Sequence, residues 1–239
     1  MGFRLVCAGR RKEKAKVKEE IVKMLDGMSG RYNYHTIFQD WVATMAISIQ
    51  NTCSTIKGKQ DEIWKDREKY YMDIMRKYTE EEQKNFAKML GMLTETFEEG
   101  NITDVLGEIY MSKNSGNSKL GQFFTPFHLS ELCARMAIEE QLQQYKNEMI
   151  EINEPSTGGG GMMIAAIKVL KERGIDYQRK VHIVAQDLDW NGVYMTYVQL
   201  SLLGANATVV QGNTLSEPYS SETPKNRIFL TPMKMGVLL

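Results

Sequence analysis

Three short stretches carry residues able to hold a polar ligand: EINEPSTGGGGMM at 151–163, QDLDW at 186–190 and QGNTL at 211–215. Gly158 to Gly161 form a run with no side chains, and each glycine loses more backbone entropy on ordering than any other residue. Such a run suits a place where something must approach the backbone closely, and the acid Glu154 stands just ahead of it. In the second stretch, a carboxylate at the end of a strand can accept hydrogen bonds from both hydroxyls of a ribose. Asp187 is better placed for this than Asp189 because it directly follows an apolar run, although the same acids would also cap a following helix. In the third, the amide of Asn213 fits either an adenine edge or a plain turn.

The residues after the glycines separate the candidate ligands. A phosphate loop requires a lysine and a hydroxyl residue there, and neither is present. A dinucleotide fingerprint starting at Gly158 requires glycine at 163, where Met163 stands. A glycine turn flanked by an acid, a ribose acid and an adenine contact, on three successive strands, make a nucleoside pocket without a phosphate clamp, which is what S-adenosylmethionine requires. His35, His128 and His182 lie far apart in a pattern that supports neither a metal site nor a triad. Cys7, Cys53 and Cys133 lack the spacing of a disulfide frame or thiolate site and read as small buried side chains in a reducing compartment.

The elements that must position these residues are read from hydrophobic period. Up to about residue 115 the spacing predicts helix after helix, in IFQDWVATMAISI, EIWKDREKYYMDIMRKY and EEEQKNFAKMLGMLTETF. Met24, Met45, Met75, Met89 and Met92 fall on their apolar faces as core filler. A helix is predicted from Thr125, with Pro126 in its first turn, through LSELCARMAIEEQLQQY. Beyond it, short β-branched runs (EMIEIN, VHIVAQ, ATVVQ, RIFL) alternate with apolar helices that stop at Gly174 and Gly204. This alternation predicts a doubly wound α/β sheet, with residues 1–115 as a helical N-terminal region and 116–239 as the cofactor-binding unit.

Charge narrows the partners. Thirty bases balance thirty acids, so any nucleic-acid contact must be local. Residues 1–24 hold eight bases against three acids, which suits a solvated basic helix or an arm facing phosphates. The sequence lacks a signal-like apolar start and a membrane-length apolar run, which points to the cytoplasm.

The strings DVLGEIY (104–110), GQFFTP (121–126), EPSTGGGG, AQDLD and GNTL, in that order, resemble the adenine-specific DNA methyltransferases, most closely the methylation subunits of type I restriction-modification systems. The resemblance covers roughly residues 100–215, and GQFFTP is its most specific piece. It implies a Rossmann-like S-adenosylmethionine-dependent methyltransferase sheet, here partial with about four strands, preceded by an all-helical N-terminal region. It also implies that Phe123, Phe124 and Thr125 line the cofactor's methionine end, with the Thr125 hydroxyl near its carboxylate. Glu154 lies on the side of the amino group, and Gly158 and Gly160 admit the cofactor, with Ser156 and Thr157 replacing a small pair. Asp187 takes the ribose, Leu188 packs on the adenine, and Asn213 accepts from the adenine amine.

The family's Asn-Pro-Pro-aromatic signature at the end of the fourth strand is missing. If RIFL is that strand, Thr231 and Pro232 stand in its place as the candidate catalytic residues. The chain stops there, and GVLL is expected on an exposed sheet edge that the tail or a second chain must cover. The function implied is DNA adenine methylation with a separate recognition subunit, in a homo- or hetero-oligomer. The alternatives are a cofactor-binding regulatory or assembly subunit without catalysis, and transfer to another acceptor.

Overall fold

In a computed structural model of the chain, residues 16–113, 124–142 and 148–238 are described. The helical half begins with α1 over residues 16–27, α2 Tyr34–Ile56, α3 Glu62–Met75, α4 Glu80–Glu98 and α5 Val105–Ser112. Each of the last four starts where a short polar side chain accepts from an otherwise unpaired backbone N–H. Asn33, Asp61, Thr79 and Asp104 serve in turn, and Thr79 forms a reciprocal capping box with Glu82. Of the basic start, Lys18 pairs with Glu108, while Arg4, Arg10, Arg11, Lys12 and Lys14 lie outside the described residues.

The second half contains α6 Phe127–Leu142, β1 Ile150–Glu154, α7 Gly161–Glu172, a short turn of helix, α8 Tyr177–Lys180, β2 Val181–Asp187, α9 Trp190–Leu202, β3 Ala207–Gln211 and β4 Ile228–Leu230. Gly174 and Gly204, at φ 77° and 66°, take the left-handed conformation that ends α7 and α9. The core is continuous across the two halves, from Ile21 and Trp41 to Val198 and Phe229. Met45 and Met89 are buried in it, and Met24, Met75 and Met92 pack against it. Of the cysteines, Cys53 is buried as expected, Cys133 is exposed, and Cys7 lies outside the described residues.

The partial four-stranded sheet is present, but its winding differs from the doubly wound expectation. Its order is β1-β2-β3-β4, with β1, β2 and β3 parallel and β4 antiparallel to β3. A parallel neighbour needs a full-length crossover, usually a helix. Residues 212–227 contain only a turn of 3-10 helix at Lys225–Arg227, so the chain simply turns back. The order therefore never reverses, and RIFL lies beyond β3 rather than beside β1.

The two sheet edges differ sharply. Along β4 the helical half caps the edge: Leu230 N donates to Gln50 Oε1 at 2.8 Å, and Arg67 donates to the Ile228 carbonyl at 2.8 Å while lying 4.3 Å over the Phe229 ring. The tail folds back there as well, with Val237 N donating to the Pro232 carbonyl and Lys57 to that of Gly236. Among the described residues the edge without a strand or cap is that of β1, and residues 236–238 of GVLL do not lie on it. Beside β1 runs an apolar groove of about 550 Å³ between α6 and α7. The face of the sheet away from α7 carries a polar rung, in which His182 bonds Glu151 at 2.7 Å and Thr208 at 3.3 Å.

Replacing Gln50 with leucine keeps the bulk but strands the part-buried Leu230 N–H. Gln50→Leu should cost about 1–3 kcal/mol, read as a lowered urea midpoint; an unchanged midpoint would show that the edge needs no cap.

Candidate functional site

The groove beside β1 is the larger hollow, but its walls are mostly apolar. The chemistry lies in a neighbouring cleft of about 390 Å³ at the carboxyl end of β1, where ligands bind in sheets of this kind. Its walls include Phe124, Thr125, Glu154, Ser156, Thr157, Gly158 and Asp187. Seven residues assigned from sequence, Phe124, Thr125, Glu154, Ser156, Thr157, Gly158 and Asp187, thus meet in one place. Gly159 and Gly161 of the same glycine run also line it, and Asp104, Ser130, Met162 and Gly192 join them without having been assigned a role.

The glycine turn is shaped largely by the protein itself. Gly158 and Gly160 take positive φ, 53° and 91°. A side chain at any of the four would meet another group. A Cβ would stand 2.9 Å from the Phe124 ring at Gly158, 3.0 Å from Met195 at Gly159, 3.1 Å from Thr196 at Gly160 and 3.1 Å from Asp104 at Gly161. Gly160 is therefore a packing position against α9 and lies outside the cleft walls.

Asp187 sits at the end of β2 and ties down this turn. Its Oδ2 accepts from Gly158 N at 2.7 Å and its Oδ1 from Asp189 N at 2.9 Å, and each oxygen keeps further acceptor capacity. Gly192 in α9 lets that carboxylate in, since a Cβ there would come within 3.1 Å of Asp187 Cγ. Glu154 is half-buried and accepts from Ser156 N at 3.1 Å.

Leu188 is 65 % exposed beside the cleft. Asn213 is exposed and its side chain accepts from Leu215 N, the plain-turn alternative for this residue. Phe123 lies outside the described residues. Thr231 is fully buried away from the cleft: its hydroxyl donates to the Ala205 carbonyl at 2.6 Å and accepts from Ala207 N at 3.0 Å. It holds β4 to β3, and Pro232 follows it into the tail turn.

Asp104 is the residue sequence reasoning passed over. It caps α5, with Oδ1 accepting from Gly107 N at 2.9 Å and from Gln199 Nε2 at 2.8 Å. Gln199, itself fully buried, also donates to the Gly159 carbonyl at 2.8 Å and accepts from Leu106 N at 3.1 Å. One carboxamide thereby joins α5, α9 and the glycine turn. Two signals were present, the acid three residues before a glycine in DVLG and its place at the start of DVLGEIY, but neither gave the residue a role. A Cβ at Gly107 would fall 2.1 Å from Asp104 Oδ2, so that glycine is required as well.

Electrostatically the cleft is one-sided. Asp104, Glu154 and Asp187 line it, and among the described residues no lysine, arginine or histidine does. Such walls repel phosphate and attract a cation. Burial pushes the Asp104 carboxyl above the ordinary carboxylate range, partly offset by the bonds from Gln199 and Gly107.

Gln199→Leu strands several buried polar groups at once and should cost about 3 kcal/mol or more, measured by chemical denaturation; a loss within error would remove Gln199 as the junction. The raised Asp104 carboxyl keeps its proton to higher pH in the folded than in the unfolded chain. Its contribution to stability is full below the unfolded pKa and is lost as pH rises through the folded one. The melting temperature of the wild type should therefore fall relative to that of Asp104→Asn as pH rises above about 4, whereas parallel curves would contradict a raised carboxyl.

A family model described as N-6 DNA Methylase matches residues 101–232. The methylase subunit of the type I restriction enzyme MpnII of Mycoplasma pneumoniae is 28% identical over 127 residues, which are 49% of this chain and 22% of that subunit. The chain thus spans well under two thirds of that relative's length. Among solved structures, a Listeria monocytogenes protein described as a class I S-adenosylmethionine-dependent methyltransferase is matched over 84% of this chain and 54% of that one, at 14% identity and TM-score 0.49. The methyltransferase subunit of a type I restriction-modification system from Streptococcus thermophilus is matched over 89% and 61%, at 12% identity and TM-score 0.43.

Proposed function

The chain belongs to the N-6 DNA methylase family, and from that premise we propose that its cleft binds S-adenosylmethionine for methylation of the adenine amino group in DNA. One observation carries the reading: the cleft puts a ribose-competent carboxylate beside a bare glycine turn, and among the described residues its only charged side chains are acids. That set fits a ligand with two positive charges and no phosphate. Asp187 would hold the ribose hydroxyls, Gly158 would let the nucleoside approach, and Leu188 would cover the adenine. Phe124 and Thr125 would close the methionine end, Glu154 would add negative charge at the mouth, and Phe123 belongs to the same assignment by sequence. When bound, the cofactor supplies an electrophilic methyl carbon on sulfur. The residues of this chain act by binding, orienting and excluding water, which is most of what such a transfer asks of a protein.

The reading includes duplex DNA as substrate, a separate recognition subunit within an oligomer, and the cytoplasm as the working compartment. A second reading, cofactor binding without transfer, is favoured by one feature of the cleft. Enzymes acting on a flipped base stack it on aromatic side chains. Among the described residues Phe124 alone is aromatic in the cleft wall, and it is packed against Gly158 and, at 5.0 Å between ring centres, against Tyr110.

Asp187→Ala should weaken S-adenosylmethionine binding about a hundredfold in titration calorimetry while the protein stays folded; unchanged affinity would remove the placement of the ribose. Transfer of labelled methyl groups to duplex DNA, with and without a recognition subunit, then separates the readings. Transfer in either case supports the enzyme, and measurable cofactor affinity with no transfer in both supports the binding subunit.

A further inference from the structure

The inner end of the cleft contains two polar atoms with no partner among the described residues. The Ser130 hydroxyl, on α6, is fully buried and has no hydrogen-bond partner among the described residues. Asp104 uses only Oδ1 for its two bonds, and Oδ2 has no donor among the described residues. Both atoms converge on Gly161, where a Cβ would stand 3.1 Å from Asp104 Oδ2 and 3.6 Å from Ser130 Oγ. An unsatisfied buried hydroxyl and a carboxylate oxygen left bare are costly unless a ligand completes them.

A third feature lies at the same point. Gly161 opens α7, whose N-cap Gly160 supplies no side-chain hydrogen bond, so the first backbone N–H groups of that helix are unclaimed by a cap. Such a helix start suits a carboxylate. An acid and a hydroxyl acceptor beside free N–H donors match the ammonium and carboxylate of an α-amino acid.

We propose that Asp104 and Ser130 form the subsite for the ammonium group of an α-amino-acid tail, with the start of α7 receiving its carboxylate. The inference rests on the cofactor reading above and moves the ammonium contact from Glu154 to Asp104. The reason is geometric. Glu154 stands at the half-exposed mouth with one oxygen engaged by Ser156, whereas Asp104 is buried with an oxygen free. Bringing in the cation also gives the enclosed Asp104 a counter-charge that it lacks among the described residues. The three-way bond of Gln199 then has a second consequence, because the residue that holds the glycine turn and the helical half in register also fixes Asp104, which grips the tail.

The test uses two ligands sharing the nucleoside and differing in the tail: S-adenosylhomocysteine, which has the amino acid, and 5′-methylthioadenosine, which lacks it. Calorimetric affinities are measured for the wild type, Asp104→Asn, Ser130→Ala and Glu154→Gln, with melting temperatures as a control on folding. Asp104→Asn should lower affinity for S-adenosylhomocysteine about tenfold or more and leave that for 5′-methylthioadenosine unchanged. Ser130→Ala should act in the same direction, more weakly, and it carries the test if the Asp104 variant does not fold. Glu154→Gln should show no tail-specific loss. Equal losses for both ligands, or a tail-specific loss only in Glu154→Gln, would overturn the subsite and leave the nucleoside reading standing. A wild type that binds neither ligand would overturn both.

Discussion

The side-chain amide of Gln199 is the constraint on which the site depends. It is cut off from water, so each of its polar atoms must find a partner within the protein. It finds three partners on separate pieces of chain: the carboxylate of Asp104, the carbonyl of Gly159 and the N–H of Leu106. A bond network of this kind has little tolerance for displacement, because a shift in any partner strands a buried group. The glycine turn is thus fixed from behind by α9 and α5, as well as from the cleft side by Asp187.

That arrangement gives the helical half a structural part in the cleft. Its α5 delivers Asp104 to the inner wall, and its α2 and α3 seal the β4 edge through Gln50 and Arg67. The four glycines then have a common explanation. Phe124, Met195, Thr196 and Asp104 each occupy the space that a side chain would have taken, so the run is bare because the protein's own groups press on it. The proposed ligand would take the space that remains.

The sheet has one finished edge and one open one. On β4, side chains from the helices pair with the strand's outer backbone groups, while β1 faces an apolar groove with nothing along it among the described residues. The acidic cleft lies where β1 ends, so the open edge and the site adjoin, and Glu154 belongs to the walls of both hollows. The face away from α7 carries the rung of Glu151, His182 and Thr208, which runs from the exposed Glu151 to the buried Thr208.

Local pattern alone determined the helices of the first half, the alternation of strand and helix in the second, and the meeting of Glu154, Gly158 and Asp187 at the ends of neighbouring strands. These depend on hydrophobic period and on residues next to each other in sequence, which a linear reading captures. Tertiary structure decided the rest. RIFL has the composition of a strand, but its side of the sheet and its direction depended on how residues 212–227 turned, and with them went the role of Thr231. Asp104 and Ser130 lie 26 residues apart in sequence and still farther from Gln199. Their convergence on Gly161 is a property of three helices packing together, and no local spacing encodes it.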